Sequence, residues 1–219
     1  MRTLLALSAF TGLAALAAPA MAQQQPGEYL QVSAGAGVGG TVHLSVDDSV
    51  LGQARHGEQT KTGPFVSVAA GRSLPNGFAV EVEALYLENK IETEDINGFL
   101  GFPLDAQAKT YAVMVNGLYA IGKTGPVVPY VGAGVGWGKS TYKAVGETQS
   151  DNGLVWQARA GLALPMSDKV TWDFGYRYLE APEFKKTYGF DDGSGGQEFL
   201  AVQAKTKQHI LSAGVRWRY

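Results

Sequence analysis

Residues 170–178 read VTWDFGYRY. Val170, Trp172, Phe174, Tyr176 and Tyr178 fall on one parity and Thr171, Asp173, Gly175 and Arg177 on the other, which is strand alternation with no competing period of 3.6. The same pattern returns in FAVEVEALY (78–86), TYAVMVNGLYA (110–120), PYVGAGVGWG (129–138), LVWQARAGLAL (154–164) and HILSAGVRWRY (209–219). It is less clean in YLQVSAGAGV (29–38) and FVSVAAG (65–71). Counting all of these predicts eight strands.

The connections alternate in length. LPNG (74–77), GKTGP (122–126) and PMSDK (165–169) are tight-turn sequences. The other links, roughly 46–61, 89–108, 144–152 and 181–203, are long and polar. Strict alternation places every turn of one kind at one end of an up-and-down antiparallel sheet.

Ahead of these strands, MRTLLALSAFTGLAALAAPAMA (1–22) has an early Arg2, an apolar run and an Ala-Met-Ala cleavage site. It reads as a secretory signal peptide, which leaves residues 23–219 as one barrel domain. No other apolar run reaches the 18 residues of a membrane helix. The 219 residues include no Cys, so no disulfide braces the fold. A net charge of -2, without a basic stripe, argues against nucleic acid as a partner. The 29 glycines suit strands and turns better than helices.

Face polarity separates the two closed architectures that remain. A soluble up-and-down barrel is apolar inside and wet outside; an outer-membrane barrel has its apolar face outward, with aromatic girdles. Here one face carries Glu81, Glu83, Arg159, Asp173, Arg177, Arg216 and Arg218 among many glycines. That is too charged for a dry core unless the charges pair. The other carries Trp137, Trp156, Trp172, Trp217 and Tyr219 with Val and Leu, which on a soluble surface would form one very large sticky patch. The fold expected is therefore all-β: a closed eight-stranded antiparallel transmembrane barrel with short periplasmic turns and four long extracellular loops. Its charged residues form an interior network and its Trp and Tyr residues anchor at the interfaces. Closure requires the last strand to pair with the first, because hydrocarbon tolerates no open edge.

The segments at 111–120, 129–138, 155–164, 173–180 and 209–219 resemble strands of the OmpA-like/Omp25-type eight-stranded outer-membrane β-barrel family of Gram-negative bacteria, the opacity-type surface proteins. The resemblance covers essentially the whole chain after the signal and implies an outer-membrane location among lipids and lipopolysaccharide. It also implies recognition of the aromatic last strand by the outer-membrane assembly machinery, and a host or cell-surface ligand at the loops. Family members include structural anchors, adhesins and surface antigens. Unlike the full OmpA layout, the sequence carries no peptidoglycan-binding domain, so a cell-wall tether is not expected.

Three functions follow as alternatives. The first is a structural or surface-interaction role. The second is a narrow porin-like channel, although eight strands enclose a space that side chains can fill. The third is a lipid A-modifying barrel enzyme, for which His43 and Ser45 in VHLSV share a parity but have no assignable acidic partner. Non-enzymatic function is the expectation, with no cofactor and no metal: His56 and His209 lack ligand spacing. GAGVGG (35–40) lies within a strand pattern with no helix to receive a pyrophosphate, and DDGSGG (191–196) lacks the spaced ligands of an EF-hand.

Overall fold

The structure is a computed structural model that describes residues 26–48, 52–91, 106–122, 125–144, 147–182, 184–191 and 197–219. The expected signal peptide lies outside the described residues. Ten strands run in chain order: β1 Gly27–Asp48, β2 Gly52–Gln59, β3 Gly63–Ser73, β4 Phe78–Ile91, β5 Ala106–Ala120, β6 Val128–Ala144, β7 Glu147–Pro165, β8 Val170–Glu180, β9 Phe184–Asp191 and β10 Gln197–Arg218. Their order in the sheet is β2-β1-β3-β4-β5-β6-β7-β8-β10-β9, and β1 also pairs with β10. All pairings are antiparallel. Eight strands close the barrel, while β2 and β9 each pair with a single neighbour, β1 and β10 respectively.

Closure runs from Tyr29 opposite Arg218 to Asp48 opposite Leu200, with one register shift between Gly37 and Gly39. No edge within the membrane-spanning wall is left unpaired. At the turn end, Pro75 presets the backbone between β3 and β4 and Gly77, at φ 89, supplies the left-handed residue that ends the turn. Between β7 and β8, Ser167 Oγ accepts the amide of Val170 at 3.1 Å.

The strands continue well into the links expected to be long loops. Pairing extends along β1 and β2 to Asp48 opposite Gly52, along β9 and β10 to Asp191 opposite Gln197, and along β6 and β7 to Ala144 opposite Glu147. Of β1, β2 and β9, only β2 is polar on both parities there; Val42, Leu44 and Val46 on β1 and Phe184, Tyr188 and Phe190 on β9 keep one parity apolar, in shorter and less regular runs than in the barrel wall, while the backbone ladder goes on. Two leaves result at the distal end: β2-β1-β10-β9, and the upper parts of β4 to β7.

The outward face is apolar over a band bounded by aromatics. On β4 it runs from Phe78 to Tyr86 and on the paired β5 from Tyr119 back to Tyr111. The rings meet at both limits, Phe78–Tyr119 and Tyr86–Tyr111 each with centroids 4.8 Å apart. Eight steps of about 3.3 Å, tilted by roughly 40°, give a band of about 20 Å, close to the hydrophobic height of an outer-membrane barrel. Val82, Val115 and Val135 lie side by side in its middle, all exposed.

Candidate functional site

The inward parity builds three layers. At the turn end, Tyr29, Ala79, Leu118, Ala120, Val128, Tyr130 and Ala163 pack into an apolar cluster. Towards the distal end, Phe65, Leu85, Leu87, Met114, Val155, Leu179 and Ile210 form another. Between them lies a charged layer in which Glu81, Glu83 and Asp173 face Arg159, Arg177 and Arg216, all buried. Three acids and three arginines make this layer neutral.

Its geometry follows from register. Arg159 and Arg177 sit directly opposite each other on β7 and β8, a like-charge pair that would repel without an acid between them. Glu83 supplies that acid: Oε1 accepts Arg177 Nη1, and Oε2 lies 3.7 Å from Arg159 Nη1. Glu81 Oε1 takes Arg159 Nη1 at 2.5 Å. Asn116 Nδ2 donates to Glu81 at 3.1 Å and to Glu83 at 2.8 Å, and Gln157 Nε2 donates to Glu83 and to Asn116 Oδ1, both at 2.8 Å. A second centre joins Arg216 to Asp173 at 3.9 Å, with Arg216 Nε donating to Gln31 Oε1 at 3.0 Å.

Two tyrosines tie this layer to the turn-end cluster. Tyr29 donates its hydroxyl to Glu81 Oε2 at 2.9 Å, and Arg216 stacks over its ring at 4.3 Å; Tyr130 donates to Asp173 Oδ1 at 3.0 Å. Sequence reasoning missed both, along with Asn116 and Gln157 as ligands of the acids. The signal was present in their parity: Tyr29 shares the face of Gln31, and Tyr130 that of Gly132.

The network's room comes from glycine on β6. A Cβ at Gly134 would stand 1.7 Å from Asn116 Oδ1, and Asn116 is pinned by three hydrogen bonds. Gly134→Ala is expected to cost about 1–3 kcal/mol by overpacking, read as a lower urea midpoint for protein folded in lipid vesicles.

Six of the seven charged residues singled out from sequence thus meet in one layer. Arg218 stands apart. It follows the inward parity, but it lies at the mouth, where Nη1 donates to the Asp168 carbonyl at 3.1 Å. Of the five aromatics expected to anchor at the interfaces, Trp172, Trp217 and Tyr219 sit at the turn end and Trp137 and Trp156 near the distal end, all exposed on the outer face.

His43 is exposed, and among the described residues no carboxylate is hydrogen-bonded to it; the side chains of Ser45 and His56 lie outside the described residues. His209 is engaged by Tyr176, its Nδ1 lying 2.6 Å from the tyrosine hydroxyl, and packs edge-on to Tyr178. Among the described residues no three His, Cys, Asp or Glu gather around a common point that could hold a metal.

A family model described as "Outer membrane protein beta-barrel domain" matches residues 8–219. Proteins of unassigned function from Brucella abortus and Brucella melitensis are 25% identical over 140 residues, which is 52% of this chain and 49% of theirs; the chain spans about half the length of these curated relatives. Among solved structures, the outer membrane protein OprG of Pseudomonas aeruginosa superposes with a TM-score of 0.53 at 11% identity, over 91% of this chain and all of that one. Neisserial surface protein A has a TM-score of 0.49 at 20% identity, over 88% of this chain and 97% of its own. At these identities the likeness is one of fold.

Proposed function

The chain belongs to the outer membrane protein beta-barrel domain family, and from that premise we propose that it works as a sealed anchor with a structural and surface-interaction role. The barrel stabilises the envelope in the outer membrane and presents its distal hairpins to ligands outside the cell. One observation carries this reading: the neutral charged layer is packed between two apolar clusters, with Phe65, Leu85 and Leu87 on its distal side, Met114, Ile210 and Leu179 at its rim opposite Glu83, Arg177 and Gln157, and Leu118 and Val128 on the turn side, all buried. A hydrated ion would have to shed water to cross either one. The distal leaf β2-β1-β10-β9 adds a surface on which β2 and β9, among the described residues, each pair along one edge only, suited to extended partners. Assembly through the aromatic last strand belongs to the same reading.

A narrow porin-like channel is the second reading, and a specific feature favours it. Arg159 Nε and Nη2, Arg177 Nε and Nη2, Asp173 Oδ2 and Gln157 Oε1 are buried without a protein hydrogen bond. Groups of this kind call for water, and a hydrated layer can rearrange.

Planar-bilayer recording of folded protein separates the two. The sealed anchor predicts no conductance steps from the wild type. Reproducible steps that Arg177→Ala or Arg216→Ala alter would make the channel the function. With a silent lumen, removal of the distal hairpins should abolish adhesion or ligand capture while the folded, heat-modifiable band persists on a gel.

A further inference from the structure

We propose that the outer face of β4, β5 and β6 carries a binding site for a phosphate-bearing lipid of the outer leaflet, built from Lys90, Lys109, Lys139 and Lys143. This follows from the membrane orientation of the barrel and does not depend on the role proposed for its hairpins. Parity sends all four side chains outward, on the same face as Tyr86, Tyr111 and Trp137. Lys139 lies opposite Tyr111, Lys109 opposite Thr141, and Lys90 and Lys143 flank Gln107 from either side. Strand spacing of about 4.8 Å and two-residue steps of about 6.7 Å place the four ammonium stems within one patch roughly 10 Å across and 13 Å tall. Among the described residues one carboxylate enters the patch: Glu88, 3.5 Å from Lys109 and also hydrogen-bonded by Tyr86. Among the described residues, four cations against one anion leave a local excess of positive charge on a chain whose net charge is -2.

Height selects the ligand. The patch begins level with the distal aromatic girdle, where Lys139 stands opposite Tyr111, and rises two pleats above it to Lys90 and Lys143, where outward side chains meet lipid headgroups. At its lower edge and beneath it, Tyr86, Tyr111 and exposed Trp137 present rings at the sugar or glycerol level, and Val113 and Val135 continue into the acyl region. An amphiphile with more than one phosphate meets complementary charge, ring and hydrocarbon surfaces in that order. On β10, Lys205 and Lys207 occupy a comparable height, but Glu180 pairs with Lys205 at 2.7 Å and lies opposite Lys207. The excess is therefore smaller there.

Native mass spectrometry of folded protein in detergent, titrated with bis-phosphorylated lipid A, tests this. The wild type should retain one lipid, and the affinity should fall with added salt. Changing Lys90, Lys109, Lys139 and Lys143 together to Gln should weaken binding on the order of a hundredfold, while Lys205→Gln with Lys207→Gln should leave most of it. Dephosphorylated lipid A should bind the wild type no better than the fourfold variant. Equal lipid A binding by wild type and the fourfold variant would overturn the proposal. So would displacement of lipid A by soluble hexametaphosphate at matched phosphate concentration, since the site would then serve a soluble polyanion. The heat-dependent gel shift confirms that each variant is folded.

Discussion

Glu83→Ala is expected to lower the unfolding free energy by roughly 3–5 kcal/mol, as for breaking a buried ion pair from one side. Glu83 is the single acid that touches both facing arginines, and it also accepts Asn116 and Gln157. Removing it leaves three buried arginines against two acids and puts Arg159 and Arg177 opposite each other with no carboxylate between them. Glu83→Gln keeps the shape and some hydrogen bonding but loses the charge, so it should fall between wild type and Ala. Pairing Glu83→Ala with Arg177→Ala should recover part of the loss, because the double variant restores charge balance. Urea titrations in lipid vesicles, followed by tryptophan fluorescence, give the four corners of this cycle. A loss below about 1 kcal/mol for Glu83→Ala would mean that water already screens the layer, and the sealed-anchor reading would fail with it.

Why this layer was partly legible in sequence, and why its lids were not, comes down to what alternation encodes. Parity assigns each residue to a face, and the charges at 81, 83, 159, 173, 177 and 216 had to lie inside because the opposite parity was Val, Trp and Tyr. Parity does not encode depth. Leu85, Met114 and Leu118 share the inward face with the glutamates, yet only the register of β4 with β5 sets Met114 level with Glu83, Leu118 opposite Ala79 on the turn side and Leu85 opposite Ala112 on the distal side. Arg218 shows the same limit from the other side, since its parity is inward while its depth places it at the mouth. Tyr29 and Tyr130 were obscured by residue type, because a tyrosine near a strand end reads as a girdle residue. On β2 both parities are polar, so it leaves no periodic trace, and on β9 the alternation of Phe184, Tyr188 and Phe190 is short and broken by Lys186, even though both backbones pair fully with β1 and β10.

Val115→Arg is expected to cost about 2–4 kcal/mol, the penalty for a cation at the midplane of a membrane barrel. Val115 sits halfway between Tyr119 and Tyr111 on β5 and lies between Val82 and Val135, both exposed. From that depth an arginine cannot reach either headgroup region without bending along the wall. Tyr111→Arg, at the distal girdle, should cost no more than about 1 kcal/mol because its charge reaches the interface directly. The contrast between these two variants is more informative than either alone. On a water-soluble barrel of identical topology both positions would be solvent-exposed surface, and both substitutions would fall within about 0.5 kcal/mol of neutral. Depth-dependent loss in vesicles therefore measures the solvent around the outer face. Equal, small losses at positions 115 and 111 would place water where the aromatic girdles imply hydrocarbon, and would turn the assignment of faces inside out.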